Sequence, residues 1–205
     1  MSWQKHVPSE SVRYVESLLA PYRVDIRVSR ERLTKTGDFR PGKEHHRISV
    51  NGNLNPFHFL WVLVHEIAHL QVHVFEKKRV APHGQEWKEA FRIAMWPLLD
   101  EPWMPHDLKR KGQAHLLRPK ATTHSDPALL SAFKAFDAHP EEHLTVDDLK
   151  EGDTFELKGK IFQKGPKQRT RHKCKELASG RWFLVHGVAP ARIDFRTFAP
   201  NPKSR

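Results

Sequence analysis

The segment from Asn55 to about Lys77 constrains the fold of this chain more than any other. Asn55 is a residue type that caps helix N-termini, and Pro56 suits the first helical position because its missing N–H needs no partner there. Apolar residues then recur at spacings of three and four, at Leu60, Leu63, Ile67, Leu70 and Val74. The pattern predicts an amphipathic helix with one face in a protein core.

The same helix carries the sequence His65-Glu66-Ile67-Ala68-His69. Residues four apart lie on one helix face, about 6 Å apart along the axis, so both imidazoles can reach one tetrahedral Zn²⁺. Glu66 lies about 100° round the helix and can approach a zinc-bound water without binding the metal, as a general base does. A five-residue match also occurs by chance, but this one lies on an independently predicted helix. We therefore predict one catalytic zinc site here.

A catalytic zinc needs a third protein ligand. His73 continues the helical row but lies about 12 Å along the axis from His65, too far to share one ion, so we expect it to face solvent or to lie outside the ligand set. His45 and His46 lie on a predicted strand, where alternation allows at most one of them to face the site. His83, which begins the next helix after a short loop, is the preferred third ligand.

Shorter elements precede this helix. Residues 9–21 show helical spacing that ends at Pro21, and Val24, Ile26 and Val28 alternate with polar residues as in a half-buried strand. A second strand is expected before the Asn51-Gly52 turn. These patterns predict a small antiparallel sheet of two or three strands.

The chain beyond the site is more varied. A helix should start near Gly84 and stop at Pro97, which lacks the N–H that a helix interior uses. Residues 100–120 show little periodicity and are interpreted as an extended connector, and residues 127–136 as one short helix. Four apolar-polar runs then predict a small β-module, at residues 154–162, 169–177, 181–188 and 191–195.

The basic charge is concentrated in that module. The chain has 35 Lys and Arg against 24 Asp and Glu, a net charge of +11, and residues 151–205 contribute 13 against 5, a net +8. Such an excess indicates a polyanionic partner, although a merely basic soluble protein is the alternative. Phosphate pairing with base stacking would suit single-stranded DNA. The predicted contacts are Lys160, Lys164, Lys167, Arg169, Arg171, Lys173 and Trp182, and a solvated basic face is the competing interpretation.

The sequence also limits the cellular setting. Cys174 is the single cysteine, so no intramolecular disulfide can form; a second metal site with His172 is a weaker alternative. The N-terminus has no signal-peptide pattern, and no apolar run approaches the roughly 20 residues of a membrane span. We expect a cytoplasmic protein, associated with the nucleoid if it is bacterial.

Several of these residues resemble the SprT-like (Spartan-related) family of zinc metalloproteases. The resemblance covers roughly residues 9–100 and rests on Leu33–Gly37 with Arg40, Ile48–Asn51 with Leu54, His65–His69 and His83–Trp87. It implies that His65, His69 and His83 hold one Zn²⁺ and that Glu66 is the base. Together with the patterns above, it predicts an α+β fold: a helical zincin-like protease domain with a small antiparallel sheet at residues 1–105, a linker with a short helix at 106–150 and a small basic β-module at 151–205.

The C-terminal part departs from the family pattern. Many family members carry a four-cysteine zinc ribbon there, whereas this chain has one cysteine, so we interpret the module as a metal-free, degenerate ribbon. The resemblance implies a zinc-dependent endopeptidase that acts on DNA-bound or DNA-crosslinked proteins, as in DNA repair. The alternatives are a non-catalytic nucleic-acid-binding protein with a structural zinc site and a general zinc peptidase of the cytosol.

Overall fold

The computed structural model describes residues 2–32, 35–76, 80–117, 119, 126–137, 144–187 and 189–192. The chain divides into two compact units, Met1–Ala138 and His139–Arg205. The first combines helices with a small sheet, and the second is built on a four-stranded antiparallel sheet. The predicted α+β class is therefore confirmed.

The first unit is organised around the predicted central helix. Its described helices are α1 (Val12–Leu19), α2 (Pro56–Phe75), α3 (Gln85–Asp100), α4 (His106–Leu117) and α5 (Pro127–Lys134). The Asn55 side chain accepts a hydrogen bond from the backbone N–H of His58 at 3.0 Å, which satisfies a donor at the start of α2. The leucines and isoleucine of its apolar stripe are fully buried. Residues 77–79, at the predicted end of the helix, lie outside the described residues.

The sheet of the first unit is mixed, not antiparallel as predicted. It consists of β1 (Val24–Ser29), β2 (Gly37–Arg40) and β3 (His46–Asn51) in the order β1-β3-β2. β2 is antiparallel to β3, and β1 is parallel to β3. The chain leaves β1, forms the far edge as β2 and returns through the centre, so the first and third strands run in one direction. β2 is thereby left as an edge strand beside α2.

Two predictions about the helices after the site are wrong. α3 continues through Pro97 to Asp100, because Leu98 and Leu99 are buried and hold its last turn in the core. α4 occupies much of the predicted connector. A Cβ on Gly112 would lie 2.9 Å from a Leu99 methyl, so the glycine lets α4 approach α3 closely. The predicted domain boundaries at residues 105 and 150 stay a prediction.

The second unit is a meander of β4 (Thr154–Leu157), β5 (Lys160–Gln168), β6 (Arg171–Glu176) and β7 (Trp182–His186). A turn at Lys158 and Gly159, both with positive φ, divides the first predicted run into a hairpin. Phe155, Phe162 and Cys174 lie in the core, so the cysteine is a packing residue. Of the last predicted run, residues 193–195 lie outside the described residues.

No helix within the described ranges combines the length and the apolar character needed to cross a bilayer.

Candidate metal centre

Helix α2 presents His65 and His69 on one face, as their four-residue spacing requires. Their ring centroids are 5.0 Å apart, and both side chains are partly buried. Neighbouring positions on the opposite side of α2, such as Leu63 and Ile67, are fully buried. The core therefore fixes the rotation of the helix and turns the two imidazoles toward one point.

His83 reaches the same point from the segment before α3. Its φ is +58°, an uncommon left-handed conformation for a residue other than glycine, and Gly84 follows as the N-cap of α3. His83 Nε2 lies 3.0 Å from His69 Nε2 and 3.2 Å from His65 Nε2. Among the described residues, these three form the group whose ligand atoms converge well enough to hold a metal ion.

The three nitrogens fit a tetrahedral metal ion. Ligands bound to zinc at about 2.0–2.1 Å with tetrahedral angles are separated by roughly 3.3 Å, close to the two distances measured here. A hydrogen-bonded cluster explains the arrangement less well, because His83 Nε2 contacts two other Nε2 atoms and can donate at most one proton. The donor set is of the kind that zinc prefers.

Burial keeps these imidazoles neutral, as metal ligands must be. It lowers the pKa of His65 to about 2, with the neighbouring His69 and His83 adding to the effect. Burial, followed by His83, lowers the pKa of His69 to about 4. Burial also lowers the pKa of His83. At neutral pH each ring therefore carries a lone pair that a cation can accept.

Trp87, on the first turn of α3, supports all three imidazoles. Its ring centroid lies 4.5 Å from that of His65, 5.4 Å from that of His69 and 4.6 Å from that of His83. Its Nε1–H donates to the backbone carbonyl of His65 at 3.3 Å. The side chain is 1% exposed, so α3 is locked against α2 at the site.

Glu66 lies beside the histidine group but is not a member of it. Its side chain is buried, and this burial, with a further contribution from Asp38, raises its pKa to about 8. A backbone hydrogen bond from Phe39 and the charge of Arg32 act in the opposite direction. The carboxyl is thus held by the edge strand β2 in a poorly solvated position, as expected for a proton-transfer group.

Strand β2 approaches Glu66 more closely than the sequence indicates. A Cβ on Gly37 would lie 2.5 Å from Glu66 Oε1 and 2.6 Å from a Val62 methyl, so a side chain at this position would force the carboxyl, the valine or the strand to move. Arg32 secures the preceding segment, donating to Asn51 Oδ1 at 2.8 Å and to Ser49 Oγ at 3.0 Å. Gly37 belongs to the sequence motif quoted above, but its contact with Glu66 could not be predicted from that motif.

The other candidate histidines lie outside the group. His73 is exposed one turn beyond His69, and its ring packs 5.4 Å from that of His46 and 5.7 Å from that of Phe39. His45, the neighbour of His46, is exposed. In the second unit, His172 bonds Asp147 at 2.8 Å and is not grouped with Cys174 in any described metal-binding set.

A partly buried three-histidine centre beside a buried glutamate is a candidate metal site of the His-Glu-x-x-His class. Residues 10–97 match the sequence profile of the SprT-like family, and this stretch of the chain is a SprT-like family domain. The match spans α1 to most of α3 and so includes all three histidines and Glu66. The family is a proposed metalloprotease family. Comparisons with curated proteins and with solved structures gave no match.

The residues predicted to contact nucleic acid are dispersed over the second unit. The prediction that Lys164 contacts nucleic acid is wrong. Alternation along β5 turns its side chain inward, where it is buried and its Nζ donates a hydrogen bond to the Leu149 carbonyl. Lys160 and Lys167 are exposed but form ion pairs of 2.8 Å with acidic side chains. The remaining four, Arg169 in the β5–β6 turn, Arg171 and Lys173 on β6 and Trp182 on β7, are exposed.

Proposed function

We propose that this chain is a zinc-dependent endopeptidase of SprT-like type that acts on proteins bound or crosslinked to DNA. The observation that carries the proposal is the convergence of three Nε2 atoms, at 3.0 and 3.2 Å, beside the buried carboxyl of Glu66. The family profile over residues 10–97 supports the same reaction class. The DNA-associated substrate and a cytoplasmic, nucleoid-associated location are proposed from the family resemblance and from the basic second unit.

His65, His69 and His83 would hold the ion through Nε2. When bound, zinc would polarise the scissile carbonyl and acidify a coordinated water. Glu66 would take a proton from the attacking water while the water oxygen forms a bond to the carbonyl carbon. It would then deliver a proton to the amine nitrogen as the C–N bond breaks. Atoms balance as one water consumed per peptide bond, and no nucleophilic side chain is needed.

The alternative is a non-catalytic nucleic-acid-binding protein with a structural zinc. Structural zinc sites are closed by four protein ligands, whereas catalytic sites keep one position open. The described residues supply a group of three. A glutamate with a raised pKa beside the group is also unexplained by a purely structural site. Both features favour the enzyme.

Paired substitutions test the proposal. Glu66→Gln should retain one zinc per chain and lose cleavage of casein and histone, whereas His69→Ala should lose zinc as well. Zinc content is measured by atomic absorption, and cleavage is measured with and without single-stranded DNA. Full cleavage by Glu66→Gln would remove the base from its role. Absence of cleavage by the wild type under both conditions would favour the non-catalytic nucleic-acid-binding protein. Equal cleavage with and without single-stranded DNA would favour a general peptidase.

A further inference from the structure

Strand β1 forms one edge of the sheet in the first unit, and β2 forms the other. β1 pairs with β3 over six consecutive residues without a shift in register. Its other side has no strand partner among the described residues. Natural edge strands are commonly shielded by lysine, proline, a bulge or short length, because a free edge can pair with another chain. β1 contains neither lysine nor proline and is regular over all six residues.

An open groove follows the free side of β1. Its volume is about 640 Å³, and it is lined by residues 24–27 of β1, by Leu19 and Tyr22 and by Trp3 near the N-terminus. Consecutive residues of a strand have side chains on opposite faces, so a groove that contacts four in a row borders the backbone edge itself. The free backbone groups of β1 are therefore accessible to a partner.

The hydrogen bonds to β3 show which backbone groups of β1 face this groove. The carbonyls of Arg23 and Ser29 accept hydrogen bonds from the N–H groups of His46 and Gly52, at 2.8 and 2.9 Å. Backbone groups alternate between the two sides of a strand, so the odd-numbered residues of β1 face β3. The N–H and C=O groups of the even-numbered residues therefore point to the free side.

The side chains of β1 divide in the same way. Val24, Ile26 and Val28 pack against the core of the unit, whereas Asp25 and Arg27 are exposed. Neither of these two charges takes part in the ion pairs found in this sheet among the described residues. The five residues alternate apolar, acidic, apolar, basic and apolar, so the strand is complementary to itself in reverse order.

We infer that β1 pairs antiparallel with β1 of a second copy of this chain. Ile26 lies opposite the partner's Ile26 in the proposed register. Val24 then lies opposite the partner's Val28, and Asp25 lies opposite the partner's Arg27. The even-numbered residues exchange backbone hydrogen bonds, and the opposite charges form the closely spaced pairs between them. Two sheets of three strands thereby join into one of six.

Charge selects this register over its neighbours. Antiparallel pairing that keeps the same backbone groups facing each other can shift only in steps of two residues. One step sets Asp25 opposite the partner's Asp25, and a step the other way sets Arg27 opposite the partner's Arg27. Like charges directly opposite each other are destabilising. The proposed register therefore combines the longest overlap with complementary charges.

The proposed interface and the metal centre lie at opposite edges of one sheet. β2, which crosses Glu66 at Gly37, is the edge that the dimer does not use. The inference goes beyond the proposed peptidase and holds whether or not the centre is catalytic. Zinc content and casein cleavage report on the metal centre, whereas the oligomeric state reports on β1, so the two proposals fail separately.

The test is sedimentation equilibrium of the full chain and its charge variants. The wild type should be a dimer. Asp25→Arg and Arg27→Asp each set two pairs of like charges across the interface, so each should weaken the dimer by about 10- to 100-fold. The double variant exchanges the two charges and should dimerise as the wild type does. An equimolar mixture of the two single variants should form a heterodimer, because every charge pair across it is again opposite.

A matched pair of variants at Val24 tests the backbone pairing. Proline removes the N–H that would donate across the interface, whereas alanine keeps it. This N–H points away from β3, so the first sheet retains its own hydrogen bonds in both variants. Two hydrogen bonds are lost by symmetry, and Val24→Pro should weaken the dimer by about 5- to 150-fold more than Val24→Ala.

Three results would overturn the inference. One is a wild type that stays monomeric at about 100 μM, well above a micromolar Kd; hydrogen exchange of the β1 amides then tells whether another segment covers this edge or leaves it to a different protein. The others are single charge variants that dimerise as well as the wild type, and a mixture that forms no heterodimer. Unfolding temperature is measured for each variant, so that loss of the dimer is assigned only to a folded protein.

Discussion

Replacement of Gly37 by alanine tests whether the edge strand positions the glutamate. The added methyl would lie 2.5 Å from Glu66 Oε1 and 2.6 Å from a Val62 methyl, both on the buried side of α2. Carbon and oxygen atoms pack at about 3.5 Å, so either the carboxyl or the strand must move by roughly 1 Å. Val62 is packed in the core, so its methyl cannot move as easily as the carboxyl at the end of the longer Glu66 side chain.

The displacement sets the expected magnitudes. Overpacking of this kind typically costs about 1–3 kcal/mol of the free energy of unfolding. A misplacement of about 1 Å at a reacting group lowers the rate by about 100-fold, which corresponds to about 2.7 kcal/mol of activation free energy. Zinc content should stay near one per chain, because the nearest neighbours of the new methyl are Glu66 and Val62 and not the imidazoles.

The assays are urea unfolding, zinc content and casein cleavage of Gly37→Ala. A double-mutant cycle identifies the atom responsible: Glu66→Asp shortens the acid by one methylene, so Gly37→Ala should cost less stability in that background. Unchanged stability and unchanged kcat in Gly37→Ala would refute the positioning role of β2. An equal stability cost in both backgrounds would assign the clash to Val62 alone.

Two further predictions concern the metal centre. His83→Ala should abolish stoichiometric zinc binding and His73→Ala should retain it, as measured by competition with a chromogenic chelator; equal losses would contradict the three-histidine site. In the metal-free protein, burial raises the pKa of Glu66 from 4.5 to about 8, so the folded state holds a proton that the unfolded state releases. Its contribution to stability is full below pH 4.5 and is lost as pH rises toward 8, and urea unfolding of Glu66→Gln should lack that decline.

Elements with a strong apolar period were predictable from the sequence. α2, β1 and β3 lie where the spacing indicates, because each buries one face and a shift in rotation or register would expose it. α4 and the last turn of α3 were not predictable. Their stability depends on contacts such as Gly112 against Leu99, which join residues distant in the sequence. The predicted antiparallel arrangement of the first sheet was wrong for the same reason, because periodicity does not say which edge β2 occupies.

The metal centre was predictable to the extent that helix geometry controls it. The four-residue spacing of His65 and His69 fixes their approach, and the short loop brings His83 close. The buried environment of Glu66 could not be predicted from the sequence, because it depends on β2 crossing the carboxyl at Gly37. In the second unit, counting charges could not separate Lys164, which alternation turns into the core, from Lys173, which alternation leaves exposed on β6.

Burial shifts the pKa values of the histidines and of the glutamate at the candidate metal centre in opposite directions. Both shifts favour the uncharged form of the side chain. Burial lowers the pKa of His65 and His69 and raises that of Glu66, so at pH 7 the imidazoles are unprotonated and the carboxyl holds its proton. Four ionised groups in this volume would be costly, but four neutral ones are tolerated. A dication at the three nitrogens would favour the ionised form of the adjacent carboxyl by direct attraction. In the proposed mechanism Glu66 would therefore act as a base only when the ion is bound, because the burial that keeps the histidines neutral also keeps the carboxyl protonated in the metal-free protein.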